Sequence, residues 1–309
     1  MRTRLFIVTM LSLMLMALAA APVGAQPQQA TGPANNPNAI AASDGVVPMN
    51  IANQAATVGF SPPATGTGIV TNNQPLLLPN LPSVEVKTGG APESIIGVDT
   101  RFPIALTTEY PARTIALMTL TGGRCTAWMI GPDTAVTAGH CVFDAGRWST
   151  NVRVYPGFTG TTAPFGGCVA RRLYSVLGWT RDGNPNYDYG AVKLNCAIGN
   201  RVGWLGLRPQ STSLVDQTAF VQGYPGDKPL TQWASRDTVR LNTPYKMFYP
   251  NDTVGGQSGA PVYNRTLACN PCAIGIHTTG VGLFGVGLNS GTRIIPQVFN
   301  NLIAWRNAL

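Results

Sequence analysis

Glutamate is nearly missing from this chain. Its 309 residues hold three, Glu85, Glu93 and Glu109, beside ten aspartates. Charged residues of all kinds make up 11%, against about 25% in an average protein. Histidine is scarce too, with His140 and His277 the two in the chain. The net charge is +8, but the Lys and Arg residues are scattered, and none form a run interleaved with aromatics. That pattern argues against nucleic-acid binding. A basic surface suits acidic substrates or partners instead. Past the N-terminal leader, no segment is long and apolar enough to cross a membrane. One CxxC is present, Cys269-Asn-Pro-Cys272, with no second one and no spare histidine to complete a zinc site. No cofactor and no metal ligand set is assigned; a Ca²⁺ held in a loop would have no motif behind it.

What is present divides into three parts. Residues 1–25 open with Met-Arg-Thr-Arg, run apolar from Leu5 to Ala21 and close on Val23-Gly24-Ala25. A basic start, an apolar run and small residues at the cleavage positions read as a secretory signal peptide, hence a secreted protein with no stable membrane association after cleavage. An uncleaved anchor is the other reading, but the run is short for a span and Pro22 follows it. Residues 26–93 are rich in Pro, Gly, Asn, Gln and Thr and poor in large apolar residues. Such a stretch buries too little surface to offset chain entropy, and is expected to be a propeptide, largely disordered.

Residues 94–309 are long enough for one or two compact units with real cores. Short apolar runs such as "RTIALMTL", "TAWMIG", "YGAVKL", "TAFVQGY" and "AIGIHTTG" alternate with Gly, Pro, Asn and Asp. Short strands with frequent turns argue an all-β barrel or sandwich. The end differs: Val298, Leu302 and Trp305 recur at helical spacing, as do Phe299 and Ile303, and Pro296 suits a first helical position. All six cysteines (Cys125, Cys141, Cys168, Cys196, Cys269 and Cys272) lie in this part. An even count behind a signal peptide suggests three disulfides, with 15 pairings open, although Cys269 and Cys272 could instead form a redox or zinc motif.

Two stretches point to chemistry. In "GGQSGAP", residues 255–261, Gly256 and Gly259 bracket Ser258. Glycines admit backbone conformations closed to other residues and let another molecule approach the main chain. An exposed hydroxyl beside free N–H groups is what an acyl-transfer nucleophile needs, though a plain glycine-rich turn could also hold a serine. In "TAVTAGHC", His140 stands next to Cys141. A disulfide there, with Cys125 at the start of the preceding strand as its natural partner, would pin the backbone beside a general base. Such a base needs a buried carboxylate to orient it. Asp188, between two aromatics in "NYDYGAVKL", is the best candidate; Asp144 and Asp182 lie in polar turns. The order is then His140, Asp188, Ser258, with spacings of 48 and 70.

"TAGHC", "YDYGAV" and "GGQSGAP", in that order, resemble the chymotrypsin-like serine peptidases. "IGVDTR", "TAVTAGHCVFD", "QGYPGDK", "GIHTTGV" and "GTRI" narrow the resemblance to the bacterial glutamyl endopeptidases. It runs from about Ser94 to the C-terminus. It implies two six-stranded antiparallel β-barrels with a C-terminal helix, and catalytic groups between the barrels. It makes Ser258 the nucleophile, His140 the base and then acid, Asp188 the orienter, and the amides of Gly256 and Ser258 the oxyanion hole. It puts His277, Thr253, Thr278 and Gly280 at the substrate, with a cationic His277 and the Thr253 hydroxyl on a glutamate carboxylate. It pairs Cys125 with Cys141 and leaves Cys168 with Cys196 and Cys269 with Cys272. Protein or peptide substrates and a monomer are expected.

Two departures stand out. Gln257 replaces the aspartate that precedes the nucleophile in trypsin-like enzymes, so activation through that aspartate cannot operate. Asp252 stands where trypsins carry the aspartate that selects Lys and Arg, so a Lys/Arg preference is the main alternative; a catalytically inactive binding protein is another. Asp252 is expected to point away from the pocket or to be neutralised. Maturation is expected between Glu93 and Ser94. Glutamate's absence fits such an enzyme: an average mature body would hold roughly 13 glutamates, and this one holds Glu109 alone beside nine aspartates. A protease that cuts after Glu gains resistance to autolysis by lacking it.

Overall fold

The computed structural model describes residues 35–45, 60–70, 76–77, 93–266 and 269–309. The expected signal peptide and most of residues 46–92 lie outside the described residues. Two β-sheets dominate. The first is built from β1 (Ile115–Leu120), β2 (Gly123–Met129), β3 (Thr134–Thr137), β4 (Arg153–Pro156), β5 (Cys168–Val176) and β6 (Gly190–Leu194), in the order β5-β6-β3-β2-β1-β4. Cys168 and Val169 pair back onto Val154 and Arg153, so this sheet closes into a six-stranded barrel. The second contains β7 (Thr218–Gly223), β8 (Trp233–Thr238), β9 (Lys246–Tyr249), β10 (Pro261–Asn264), β11 (Cys272–Thr279) and β12 (Asn289–Arg293), in the order β9-β12-β11-β10-β7-β8. It is a half-barrel, extended by short strands at Phe102–Pro103, Gly206–Leu207 and Leu241–Asn242.

Side chains alternate across each strand, and this alternation sorts the core into layers. Ala116, Met118 and Leu120 of β1 enter the first barrel with Ala127, Val154 and Val192. Ile115 and Leu117 face the other way, into a cluster shared with Trp128, Tyr174, Ile276 and the C-terminal helix. A third cluster fills the second sheet around Val221, Met247, Val262 and Ile274. The helix Pro296–Asn307 starts with proline at its first turn and buries Val298, Phe299, Leu302 and Trp305, with the Trp305 ring stacked 5.8 Å from that of Tyr174. The cysteines pair as Cys125–Cys141, Cys168–Cys196 and Cys269–Cys272.

The leader differs from expectation wherever it is described. Ile40–Ala42 adds an antiparallel strand to β5, with Ile40 opposite Val176 and Ala42 opposite Tyr174. That part of β5 turns away from β4, and its open edge finds a strand partner in the leader. Ser61 bridges to Leu207 and Ala64 to Trp204. Arg113 Nη2 donates to Thr65 O at 2.6 Å, and Arg306 Nη1 to Ser61 Oγ at 2.6 Å. Ile40 and Ala42 are buried in the shared core, but two such residues in a polar stretch carry no periodic signal.

Candidate active site

The short helix Gly139–Val142 begins where β3 ends and carries His140 with no exposed surface. Asp188 follows the 3₁₀ turn Pro185–Tyr187, just before β6. Because β6 pairs with β3, the two meet: His140 N donates to Asp188 Oδ1 at 3.0 Å, and His140 Nδ1 lies 2.8 Å from Asp188 Oδ2. Burial pushes the Asp188 carboxyl up, but His140 and then Lys246 outweigh it and hold it below the usual carboxylate range. Burial by itself would lower His140; the Asp188 charge and hydrogen bond outweigh that and raise it. Asp144 acts on His140 only as a lesser charge, and Asp182 pairs with Arg181 at the surface.

Ser258 sits in the loop before β10, buried. Gly256 has φ +100° and Gly259 φ +86°. A side chain on Gly256 would strike Tyr224 O, and one on Gly259 would strike Thr137 Oγ1 and Thr126 O. The loop is pinned to the first barrel by Thr126 N on Ser258 O at 2.9 Å and Thr126 Oγ1 on Gly256 O at 2.8 Å. Gln257 Oε1 accepts from Val254 N at 3.0 Å, closing the turn on itself.

Ser258 Oγ donates to Glu93 Oε1 in a short contact, and His140 Nε2 has no hydrogen-bond partner among the described residues. Glu93 Oε1 also lies 3.8 Å from His277 Nε2. His277 is buried on β11, with Nδ1 2.8 Å from the Tyr249 hydroxyl on β9. Burial first, then the Lys246 charge, pushes His277 down to about 3, while burial raises Glu93. Charge is thus disfavoured on both groups where they meet. Thr253 Oγ1 and Glu93 Oε2 are buried without partners among the described residues. Thr278 Oγ1 accepts from Lys246 Nζ at 2.7 Å, and Gly280 is buried just past β11.

Asp252 turns to the segment after Glu93. Its carboxylate accepts from Ile96 N, Thr100 N and Thr100 Oγ1, each at 2.7 Å. Asn289 holds the point of expected cleavage: Ser94 N donates to its Oδ1 at 3.1 Å and its Nδ2 donates to Ser94 O at 2.6 Å. "IGVDTR" and "GYPGDK" meet as well, with Arg101 forked onto Asp227 at 2.8 and 2.6 Å and onto Asp99. Tyr249, Lys246 and Asn289 had not been singled out in the sequence. Strand register across β9, β12 and β11 brings them to the site, and no local motif marks them.

The trypsin family model matches residues 106–301. The chain belongs to the trypsin family of chymotrypsin-like serine peptidases. A glutamyl endopeptidase of Bacillus licheniformis is 41% identical over 256 residues, spanning 81% of this chain and 79% of that one. A solved structure of a Glu endopeptidase in complex with MPD superposes with a TM-score of 0.65 at 28% identity, over 69% of this chain and 100% of that one. This family member is thus a serine endopeptidase of glutamyl endopeptidase type, a hydrolase of protein or peptide substrates. A Bacillus subtilis protein named extracellular metalloprotease is 37% identical over 96% of this chain and 95% of that one. The donors here do not fit that name. Among the described residues the candidate ligand cluster is Cys125, His140 and Cys141, and both sulfurs are spent on a disulfide. A catalytic zinc takes three free protein ligands, such as two histidines and a carboxylate.

Proposed function

We propose that this chain is the precursor of a secreted endopeptidase that cuts after glutamate and matures by cutting its own Glu93–Ser94 bond. The observation that carries this is Glu93 itself: its carboxyl lies against Ser258 Oγ and 3.8 Å from His277 Nε2. The apolar N-terminal run and the extracellular relative support secretion.

In the mature enzyme, Ser258 Oγ attacks the carbonyl carbon after the substrate glutamate while His140 Nε2 takes the hydroxyl proton. Asp188 holds the imidazole so that Nε2 is the free nitrogen, and stabilises the imidazolium that forms. The amides of Gly256 and Ser258, which have no acceptor among the described residues, receive the oxyanion. One such donor is worth about 2.7–4 kcal/mol. His140 returns its proton to the leaving amine, the acyl-enzyme forms, and a water deprotonated by His140 releases the acid. Substrate glutamate takes the place of Glu93 against His277 and Thr253. The docking of Asp252 onto residues 96–100 supports Glu over Lys or Arg, because its carboxylate is already occupied by three donors.

The test is to express the full chain and sequence its N-terminus and the cut sites in a mixed peptide pool. A mature start at Ser94 and cleavage after Glu, with Asp second, are expected. Ser258→Ala should leave the precursor uncut and lower peptide hydrolysis on the order of 10⁶-fold. Faster cleavage after Lys than after Glu would overturn the specificity, and an active Ser258→Ala protein would overturn the mechanism.

A further inference from the structure

Two lysines are buried among the described residues, and they are held differently. Lys193 has an ion pair, its Nζ 2.8 Å from Asp133 Oδ1. Lys246, with no exposed surface, contacts no carboxylate among the described residues. Its Nζ donates to Thr278 Oγ1 at 2.7 Å and to Thr292 Oγ1 at 3.2 Å, and lies 5.7 Å from the centre of the Phe284 ring. A buried ammonium with only neutral partners is costly unless a charge nearby balances it.

That charge is Asp188. Thr292 Oγ1 accepts from Lys246, so its own hydrogen is free to donate, and it donates to Asp188 O at 2.9 Å. Lys246 thus reaches the residue that orients His140 through one hydroxyl. We propose that Lys246 is a positioning residue of the active site: through Thr292 it fixes Asp188, and its charge balances the Asp188 carboxylate while His140 is neutral. The inference rests on the triad reading above.

The electrostatics run the same way. Lys246 helps hold Asp188 in its charged form, and Asp188 opposes the burial that pushes Lys246 down to about 8. The groups acting on His140 are Asp188, Glu93 and Asp144, and His140 in turn acts on His277. With Glu93 gone from the mature site, Asp188 is the principal anion facing His140. Removing Lys246 leaves that anion unbalanced, so the imidazolium is favoured and His140 loses its free Nε2 at higher pH than before.

The experiment is the pH profile of kcat/KM of the mature enzyme on a glutamyl peptide, for Lys246→Met, Lys246→Arg and Thr292→Val. In Lys246→Met the acidic limb should move to higher pH by about half a unit to one unit, a loss of about threefold to tenfold below the limb. Lys246→Arg keeps the charge and should leave the limb in place. Thr292→Val removes the hydroxyl link and should shift it in the same direction by less. A uniform loss with an unmoved limb in Lys246→Met, or an equal shift in Lys246→Arg, would overturn the proposal. If Lys246→Met does not fold, an unmoved limb in Thr292→Val overturns it. A wild-type enzyme without activity on glutamyl peptides would instead refute the reading on which the proposal rests.

Discussion

The molecule's two histidines are both fully buried beside the same glutamate, yet their readiness to take a proton is pushed in opposite directions. His140 belongs to the first barrel and gives its Nδ1 to a carboxylate; His277 belongs to the second sheet and gives its Nδ1 to a phenol. Burial opposes charge on both. Asp188 overcomes it at His140, whereas nothing overcomes it at His277, where Lys246 adds to it. A carboxylate on Nδ1 thus favours the proton at one imidazole, and a phenol on Nδ1 gives the other no such support.

Changing that partner should break the contrast. Asp188→Asn leaves His140 with a neutral neighbour, and kcat should fall about 10⁴-fold, as for loss of the orienting carboxylate in other triads. Steady-state kinetics on a glutamyl peptide measure this, and a loss below tenfold would remove Asp188 from the mechanism. On the other side, His277→Ala should cost about 1.5–3 kcal/mol in kcat/KM on glutamyl peptides by leaving the substrate carboxylate without that donor. The loss on matched glutamine peptides should be smaller; equal losses would make His277 a packing residue.

Tyr249→Phe sharpens the comparison, because it keeps the ring and removes only the Nδ1 partner of His277. A cost of about 1 kcal/mol on glutamyl peptides is expected. The acidic limb set by His140 should stay where it is, and a shifted limb would mean the two histidines are not separable. The smallest effect belongs to Asp252→Asn. It weakens the three bonds from residues 96–100, so the melting temperature of the mature protein should fall by a few degrees. The Glu-to-Lys preference should not change, and improved Glu cleavage would place the Asp252 carboxylate in the pocket.

The first barrel and its half of the site were the more legible in sequence. The runs around Leu117, Ala127, Val154 and Val192 became strands, and "TAGHC" and "YDYG" each carry their residue on a short stretch whose local structure presents it. The C-terminal helix was legible for a similar reason, its proline start and 3.6-residue period being local signals. The second sheet was less so. β8, β9 and β12 carry charged and polar residues such as Arg236, Lys246 and Asn289, and their runs are weakly apolar. Asn289 meets Ser94 across 195 positions, a contact no local pattern marks. The leader strand at Ile40–Ala42 was missed because two buried apolar side chains within a polar stretch make too short a pattern to mark a strand, and the rest of the docking is main-chain pairing to an edge.

Glu93 occupies the site while still part of the same chain, and the leader before it is paired to the body at Ile40–Ala42 and Ser61. Its occupancy is therefore a matter of effective concentration. A group held in the same chain competes at an effective concentration on the order of 10⁻³ M, and diluting the protein does not weaken it. An outside peptide must beat a competitor that is always present. The proposed cut after Glu93 would release it from the body on its C-terminal side, so latency would end for each molecule singly, in one irreversible step.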